Sequence, residues 1–404
     1  MIKYWLVITM AALGLVAAPP AQAQISDGVI KIGVLTDMSS LYADLSGQGS
    51  VIAARMAVED FGAAKKGMKV EIISADHQNK ADVGSGIARQ WLDSDKVDVI
   101  VDTPNSAVAL AVNQIVKEKG KAFLVSGAAS SDLTGKACSP NTVHWTYDTW
   151  ALANGTGSAI VKTGGDTWFF LTADYAFGHA LERDTEAVVV KNGGKVLGKV
   201  RHPLNTADFS SFLLQAQASK AKIIGLANAG GDTTNAIKQA AEFGIVKGGQ
   251  SLAGLLVFIT DVHALGLQTA QGLIFTEAFY WDMNDKTRAF SKRFAELDRD
   301  IHPTMIHAGV YAAVLHYLKA VEALKSDDGT KVIAKMKETP TDDPLFGKGT
   351  IRADGRKLHP MYLFEVKKPS ESKAPWDYYK LRATIPVEQA FRPLDQGDCP
   401  LVKK

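Results

Sequence analysis

Residues 30–37 read IKIGVLTD, and the residues that follow repeat the pattern this stretch starts. Ile30, Ile32, Val34 and Leu35 form a short branched run that closes on Thr36-Asp37. Runs of this kind, bounded by turn residues, are strands. Residues 51–61 then place Val51, Ala54, Met56, Val58 and Phe61 at near-helical spacing. Residues 69–75 (KVEIISA) alternate as a strand, 81–92 read as a helix and 97–102 (VDVIVD) as a strand. A helix over 107–119, with Val108, Ala111, Val112 and Ile115 on one side, precedes a strand at 122–126 (AFLVS). A strand–helix unit recurring roughly every 30 residues predicts an α/β fold, a parallel sheet with helices on both faces.

The rhythm restarts further on. Strands are expected at 167–172 (TWFFLT), 195–200, 223–227 and 252–259. Helices are expected at 180–192, stopped by Gly193-Gly194, and at 209–218 and 233–243, with Asp208 and Asp232 as N-caps. A short strand at 273–276, long helices at 287–298 and 303–325, and a β-rich end at 361–366 and 378–381 complete the chain. The pattern predicts two βα domains, about 25–147 and about 148–271. No low-complexity linker separates them, which predicts a cleft between tightly joined domains. Ligands of open α/β sheets bind at the carboxyl ends of strands.

The chain has 404 residues, 46% hydrophobic and 22% charged, with a net charge of +2. Disorder and a strongly basic nucleic-acid binder are excluded. Residues 1–23 read as a secretory signal: Lys3, an apolar run over 4–18, then Ala21-Gln22-Ala23 as the cleavage site. The run is shorter than the roughly 20 residues of a membrane span, so an exported product beginning at Gln24 is expected. The two cysteines, Cys138 and Cys399, both lie in the exported part and are expected to pair. The alternative is two buried thiols.

Catalytic and metal templates are missing: there is no G-x-x-x-x-G-K-[ST], H-E-x-x-H, C-x-x-C or G-x-S-x-G. The nine histidines are scattered. No metal or cofactor is expected, and binding is favoured over catalysis. The strand-end loops supply candidate ligand residues. Asp102-Thr103-Pro104-Asn105-Ser106 opens a helix whose free N–H groups suit an anion, and Ser126 to Ser131 adds small residues and hydroxyls. Each loop alone also fits an ordinary N-cap. Tyr42, Tyr147, Trp150, Tyr175 and Phe177 could line a pocket, with domain-interface packing as the alternative for Trp145, Trp150 and Phe177. Asp261, placed after the expected strand 252–259, is the acidic candidate, ahead of Asp232.

Across the mature chain the sequence resembles the periplasmic solute-binding proteins of the branched-chain amino-acid class, which serve ABC transporters. The resemblance lies in IKIGVLTDMSSLYADLSGQGSVIAARMAVEDFG, DTPNSAVALAV, FLVSGAASSDLTG, DYAFGHALERD, the stretch from GGKVLGKV to NAIKQA, and FITDVHALGL. It implies a two-lobed, three-crossover fold: first lobe 24–147 with 275–351, second lobe 148–274 with 352–390, and a tail at 391–404. It implies that Ser106, Ala128 and Ser130 hold a ligand carboxylate and that Tyr42 supplies the first-loop aromatic. Asn228 to Asp232 and Thr260-Asp261 would meet the rest of the ligand. Small residues at Ala227-Asn228-Ala229-Gly230-Gly231 replace the tyrosine and glutamate of amino-acid-specific members, which points towards aromatic acids. The expectations are therefore a monomeric periplasmic binder of a small carboxylate, an ABC permease as partner, and closure by a hinge. The alternatives are a neutral amino-acid binder or a ligand sensor presenting to a membrane receptor.

Overall fold

Strand β1 (Ile30–Thr36) sits inside a parallel sheet, as a run buried at all but one position requires. In this computed structural model, which describes residues 25–403, β1 pairs with β2 (Val70–Asp76) and β3 (Val99–Asp102). Strands β4 (Ala122–Val125) and β5 (Thr142–His144) complete the order β2-β1-β3-β4-β5. Helices Gly47–Phe61, Ala81–Asp93 and Ser106–Lys119 carry the chain back between parallel strands. The two sheet faces pack separately. Ile32, Val34 and Val101 join the core under the long helix Met305–Leu324, whereas Leu35, Ile100 and Phe123 pack with Val108 and Val112. Strand β5 was not expected, because three residues, Thr-Val-His, are too few to show a period. The proposed signal segment and its cleavage after Ala23 lie outside the described residues.

The second parallel sheet has the order β7-β6-β8-β9, from β6 (Thr167–Ala173), β7 (Lys195–His202), β8 (Ile223–Ala227) and β9 (Ser251–Gly254). The expected strand 252–259 is corrected here. Pairing stops at Gly254, and Ile259–Leu265 is a helix. Residues 255–259 are all buried without being a strand, and an apolar run reports burial rather than conformation. The expected N-cap at Asp232 is also corrected. Gly230 holds that position, and Asp232 lies in the first turn of helix Gly231–Glu242. There its carboxylate accepts from the backbone N–H of Asn205 and Thr206 at 3.1 and 2.8 Å.

Strand β10 (Ile274–Glu277) follows. The small antiparallel sheet β11 (Thr341–Asp343), β12 (Gly347–Ile351) and β13 (Lys357–Leu358) comes later. Strands β14 (Met361–Val366) and β15 (Tyr379–Ile385) join β10 in an antiparallel sheet beside β9. Phe275, Phe364 and Tyr379 share a core with Phe169 and Leu226 of the second sheet. Helix Met305–Leu324 packs on Gly47–Phe61, and a bridge joins Arg356 to His144, which ties residues up to 358 to the first sheet. Two crossing segments lie side by side: His359 Nε2 donates to the Thr146 carbonyl (2.7 Å) and Arg356 Nη1 to that of Tyr147 (3.0 Å). Cys138 and Cys399 are disulfide-bonded. Among the described residues no helix is long and apolar enough to cross a membrane, and no three potential ligands are grouped to hold a metal.

Candidate functional site

The carboxyl ends of β1, β3 and β4 face those of β6 and β8 across a narrow space. The loop after β1 supplies Tyr42 and Leu45. It is shaped by Asp37, whose carboxylate accepts from the backbone N–H of Ser40 (3.1 Å) and Tyr42 (2.7 Å) and from Asn79 Nδ2 (2.7 Å). Pro104 follows β3, where Asp102 and Thr103 have φ of 77° and 58°, a conformation that costs a non-glycine residue energy. Gly127 and Ala129 follow β4. A Cβ on Gly127 would lie 2.7 Å from Pro104 Cα and 2.8 Å from Asp102 Oδ1. Only glycine lets these two loops meet.

The opposite wall holds Tyr175, Phe177, Ala229, Leu256 and Phe258. Tyr175 immediately precedes helix Ala176–Lys191, with its ring 5.9 Å from that of Phe177. Its hydroxyl meets that of Tyr42 at 2.6 Å, so one hydrogen bond spans the cleft. Gly230 has φ +58°, and a Cβ there would lie 2.8 Å from the Leu41 carbonyl oxygen. The two walls are therefore in contact, and the structure is closed. Tyr147, on the crossing segment, donates to the Gly127 carbonyl at 2.5 Å and packs edge-on against Phe258. Among the described residues no charged side chain lines the space.

Carboxyl groups stand behind the lining. Burial pushes Asp102 up to about 6 and Asp232 up to about 6. Burial also pushes Asp261 up to about 7, and Glu277 well above the usual carboxylate range. Desolvation disfavours the ionised form of each. Asp261 lies in the first turn of its helix and accepts from the Phe258 N–H at 2.9 Å. Glu277 accepts from the Tyr379 hydroxyl at 2.9 Å.

The structure brings Tyr42, Tyr147, Tyr175 and Phe177 together around the space. Asn105 caps helix Ser106–Lys119 through the N–H groups of Ala107 and Val108. Ser106 Oγ accepts from the N–H of Ala129 and Ser130 at 3.3 and 3.2 Å. A hydroxyl that accepts twice still has its own hydrogen to donate. Ala128 packs on the far face of the sheet, and its carbonyl accepts from His144 Nε2. Ser130 Oγ accepts from the Asp132 N–H. Asn228 is held by His202 and Thr233. Trp150 lies instead on a surface groove with Leu363, Ile385 and Phe391. Leu45, Leu256 and Phe258 line the space without having been singled out in the sequence, and Pro104, Ala129 and Ala229 line it from within candidate loops without being individually expected. Phe258 was hidden by the strand reading of its run. The loop containing Ala129 had been marked, but nothing in the chain says which of its residues points inward.

Comparison with known proteins bears on what such a site does. The family described as periplasmic binding protein matches residues 29–373. A periplasmic binding protein from Burkholderia mallei is 55% identical, with 94% of this chain and 100% of that one aligned and a TM-score of 0.91. A branched-chain amino-acid ABC transporter periplasmic ligand-binding protein from Burkholderia xenovorans is 42% identical over 92% of this chain and 99% of its own (TM-score 0.82). An ABC-transporter solute-binding protein from R. palustris, solved with benzoate, is 22% identical over 92% of this chain and 100% of its own (TM-score 0.81), a likeness of fold alone.

Proposed function

Because this chain belongs to the periplasmic binding protein family, we propose that it is the extracytoplasmic solute-binding component of an ABC uptake transporter. Its solute is a small aromatic carboxylic acid, captured when the lobes close. One observation carries the ligand class: the cleft has no charged lining, five of its lining side chains are aromatic, and Tyr42 and Tyr175 close it. Rings pack on rings, and a site of this kind orients its ligand with a few polar groups. A buried carboxylate needs hydrogen bonds where it has no cation. Within the lining, one hydroxyl of the Tyr42–Tyr175 pair keeps a hydrogen to donate, and Ser106, buried behind Ala129, has a second.

The benzoate held by the R. palustris protein fits this reading. The protein is exported, acts as a monomer and presents its closed form to a membrane permease. It binds rather than transforms its ligand, needing no metal or cofactor. The second reading, a neutral amino acid, is favoured by the buried Asp261 behind Phe258 and by the description of the B. xenovorans relative.

A thermal-shift screen of ligand-stripped mature protein separates the two. Ligand at about 100 times Kd stabilises the fold by roughly 2.7 kcal/mol. Shifts with benzoates or cinnamates support the aromatic reading. Shifts with aliphatic amino acids alone overturn it.

A further inference from the structure

The chain crosses between the lobes once more after β15. Segment 386–399 leaves the second-lobe strand β15 at Ile385. The Gln389 carbonyl is still held on that side, accepting from Asn154 Nδ2 at 2.7 Å in the π-helical turn Ala153–Gly157. Three residues later the attachments belong to the first lobe. Arg392 Nη2 donates to the Ser131 carbonyl (3.0 Å), and the Arg392 carbonyl accepts from Arg352 Nη1 (2.7 Å). The disulfide from Cys399 to Cys138 then locks the segment to the loop after β4. The contact is flush: a Cβ on Gly135 would lie 2.7 Å from the Gly397 carbonyl oxygen. Between these anchors only Ala390 and Phe391 intervene. Both are buried, and the Phe391 ring lies 4.6 Å from the Arg356 guanidinium. Two extended residues span only about 7 Å, so the segment can pivot but has little slack.

The first-lobe anchor is also part of the cavity loop. Ser131 follows Gly127 and Ala129, and its hydroxyl donates to Asp184 at 2.7 Å. Asp184 lies on helix Ala176–Lys191, which begins beside Tyr175 and Phe177. We infer that segment 386–399 is a further hinge segment, a strap in which Arg392 is a positioning residue. Acting through Ser131, Arg392 holds the cavity loop 127–131, and the disulfide holds the strap. The effect on ligand release rests on the proposed closure mechanism; the effect on the loop does not.

The test is hydrogen exchange, read by mass spectrometry, on the ligand-free mature chain. The parent protein is compared with Arg392→Ala, Arg392→Lys and the double variant Cys138→Ser/Cys399→Ser. Exchange in 127–137 should quicken by about fivefold or more in Arg392→Ala and in the double variant. It should return towards the parent rate in Arg392→Lys and stay unchanged in β1 and β3. If the double variant does not fold, the folded parent reduced by a phosphine replaces it. Parent-like exchange in 127–137, or acceleration spread evenly over both sheets, overturns the strap. Benzoate supplies a second readout: faster dissociation from Arg392→Ala at an unchanged association rate. Failure of benzoate to bind counts against the aromatic-acid reading and leaves the exchange result to decide the strap.

Discussion

Around the cleft the side chains facing the open space are uncharged, whereas at the crossing strands Arg356, Lys357 and Asp148 are all buried. Arg356 is wholly inaccessible. It donates to the carbonyls of Tyr147 and Lys357 at 3.0 Å each and lies 3.6 Å from Asp148. Lys357 Nζ sits 4.8 Å from the Phe346 ring and 5.5 Å from that of Trp145, and burial lowers its pKa to about 8. The difference follows from what each region must do. A cleft that wets and dries in every binding cycle would repeatedly pay to desolvate a charge. A hinge packed throughout the cycle can keep charges whose surroundings never change, and here Arg356 holds the carbonyls of Tyr147 and Lys357 while the Lys357 ammonium rests against the Phe346 and Trp145 rings. The cleft is built for reversible contact, the hinge for permanent contact.

The largest expected effect breaks the hinge side. Arg356→Ala leaves Asp148 with its Ala151 N–H but without its adjacent cation, frees two buried carbonyls, and should cost about 3–5 kcal/mol of stability, read by urea unfolding. A cost like that of a surface substitution would mean that the hinge charges carry little.

The next tests the carboxyls behind the cleft. The Asp261 pKa is raised from 3.8 to about 7 in the fold, by burial. The folded state therefore holds that proton more tightly than the unfolded chain. The associated stability is complete below the ordinary carboxylate range and is lost as pH rises through about 7. Asp261→Asn keeps an acceptor for the Phe258 N–H and loses the titration. Relative to the parent it should gain roughly 4 kcal/mol between pH 4 and pH 8. A pH-independent difference would place Asp261 in contact with water.

Two smaller effects sharpen the cleft side. Gly230→Ala puts a methyl group against the Leu41 carbonyl in the closed state and should weaken ligand binding by about 1–3 kcal/mol, measured by calorimetry. Unchanged affinity would mean that closure in solution does not bring these walls together. Tyr42→Phe removes the hydroxyl pair with Tyr175 and should cost about 0.5–1.5 kcal/mol of affinity with little change in thermal stability.

Much of the fold was legible in the chain. Strand β1, the alternation after it and strand β14 lie where the apolar patterns put them, because period and turn residues are local properties. Errors fell where local pattern and tertiary role part company. The buried run ending at Ile259 serves as loop and helix start, and β5 is too short to carry a period. The four aromatics Tyr42, Tyr147, Tyr175 and Phe177 could be singled out because large rings in strand-end loops are conspicuous. Leu45, Pro104 and Ala129 could not, since nothing in their residue types distinguishes a lining position from a packed one.

The sequence by itself determined the two α/β units and the loops that face each other, since strand direction and period assign those loops to one edge of each sheet. It also carried a cysteine pair suited to bridging. Only the tertiary structure decided that Ser106 is engaged by the backbone of the neighbouring loop and that Trp150 lies on an outer groove. The same holds for the strap, which brings Arg392 and Cys399 onto the loop after β4. These depend on which distant segments pack together, a cooperative outcome of burial that no local pattern encodes.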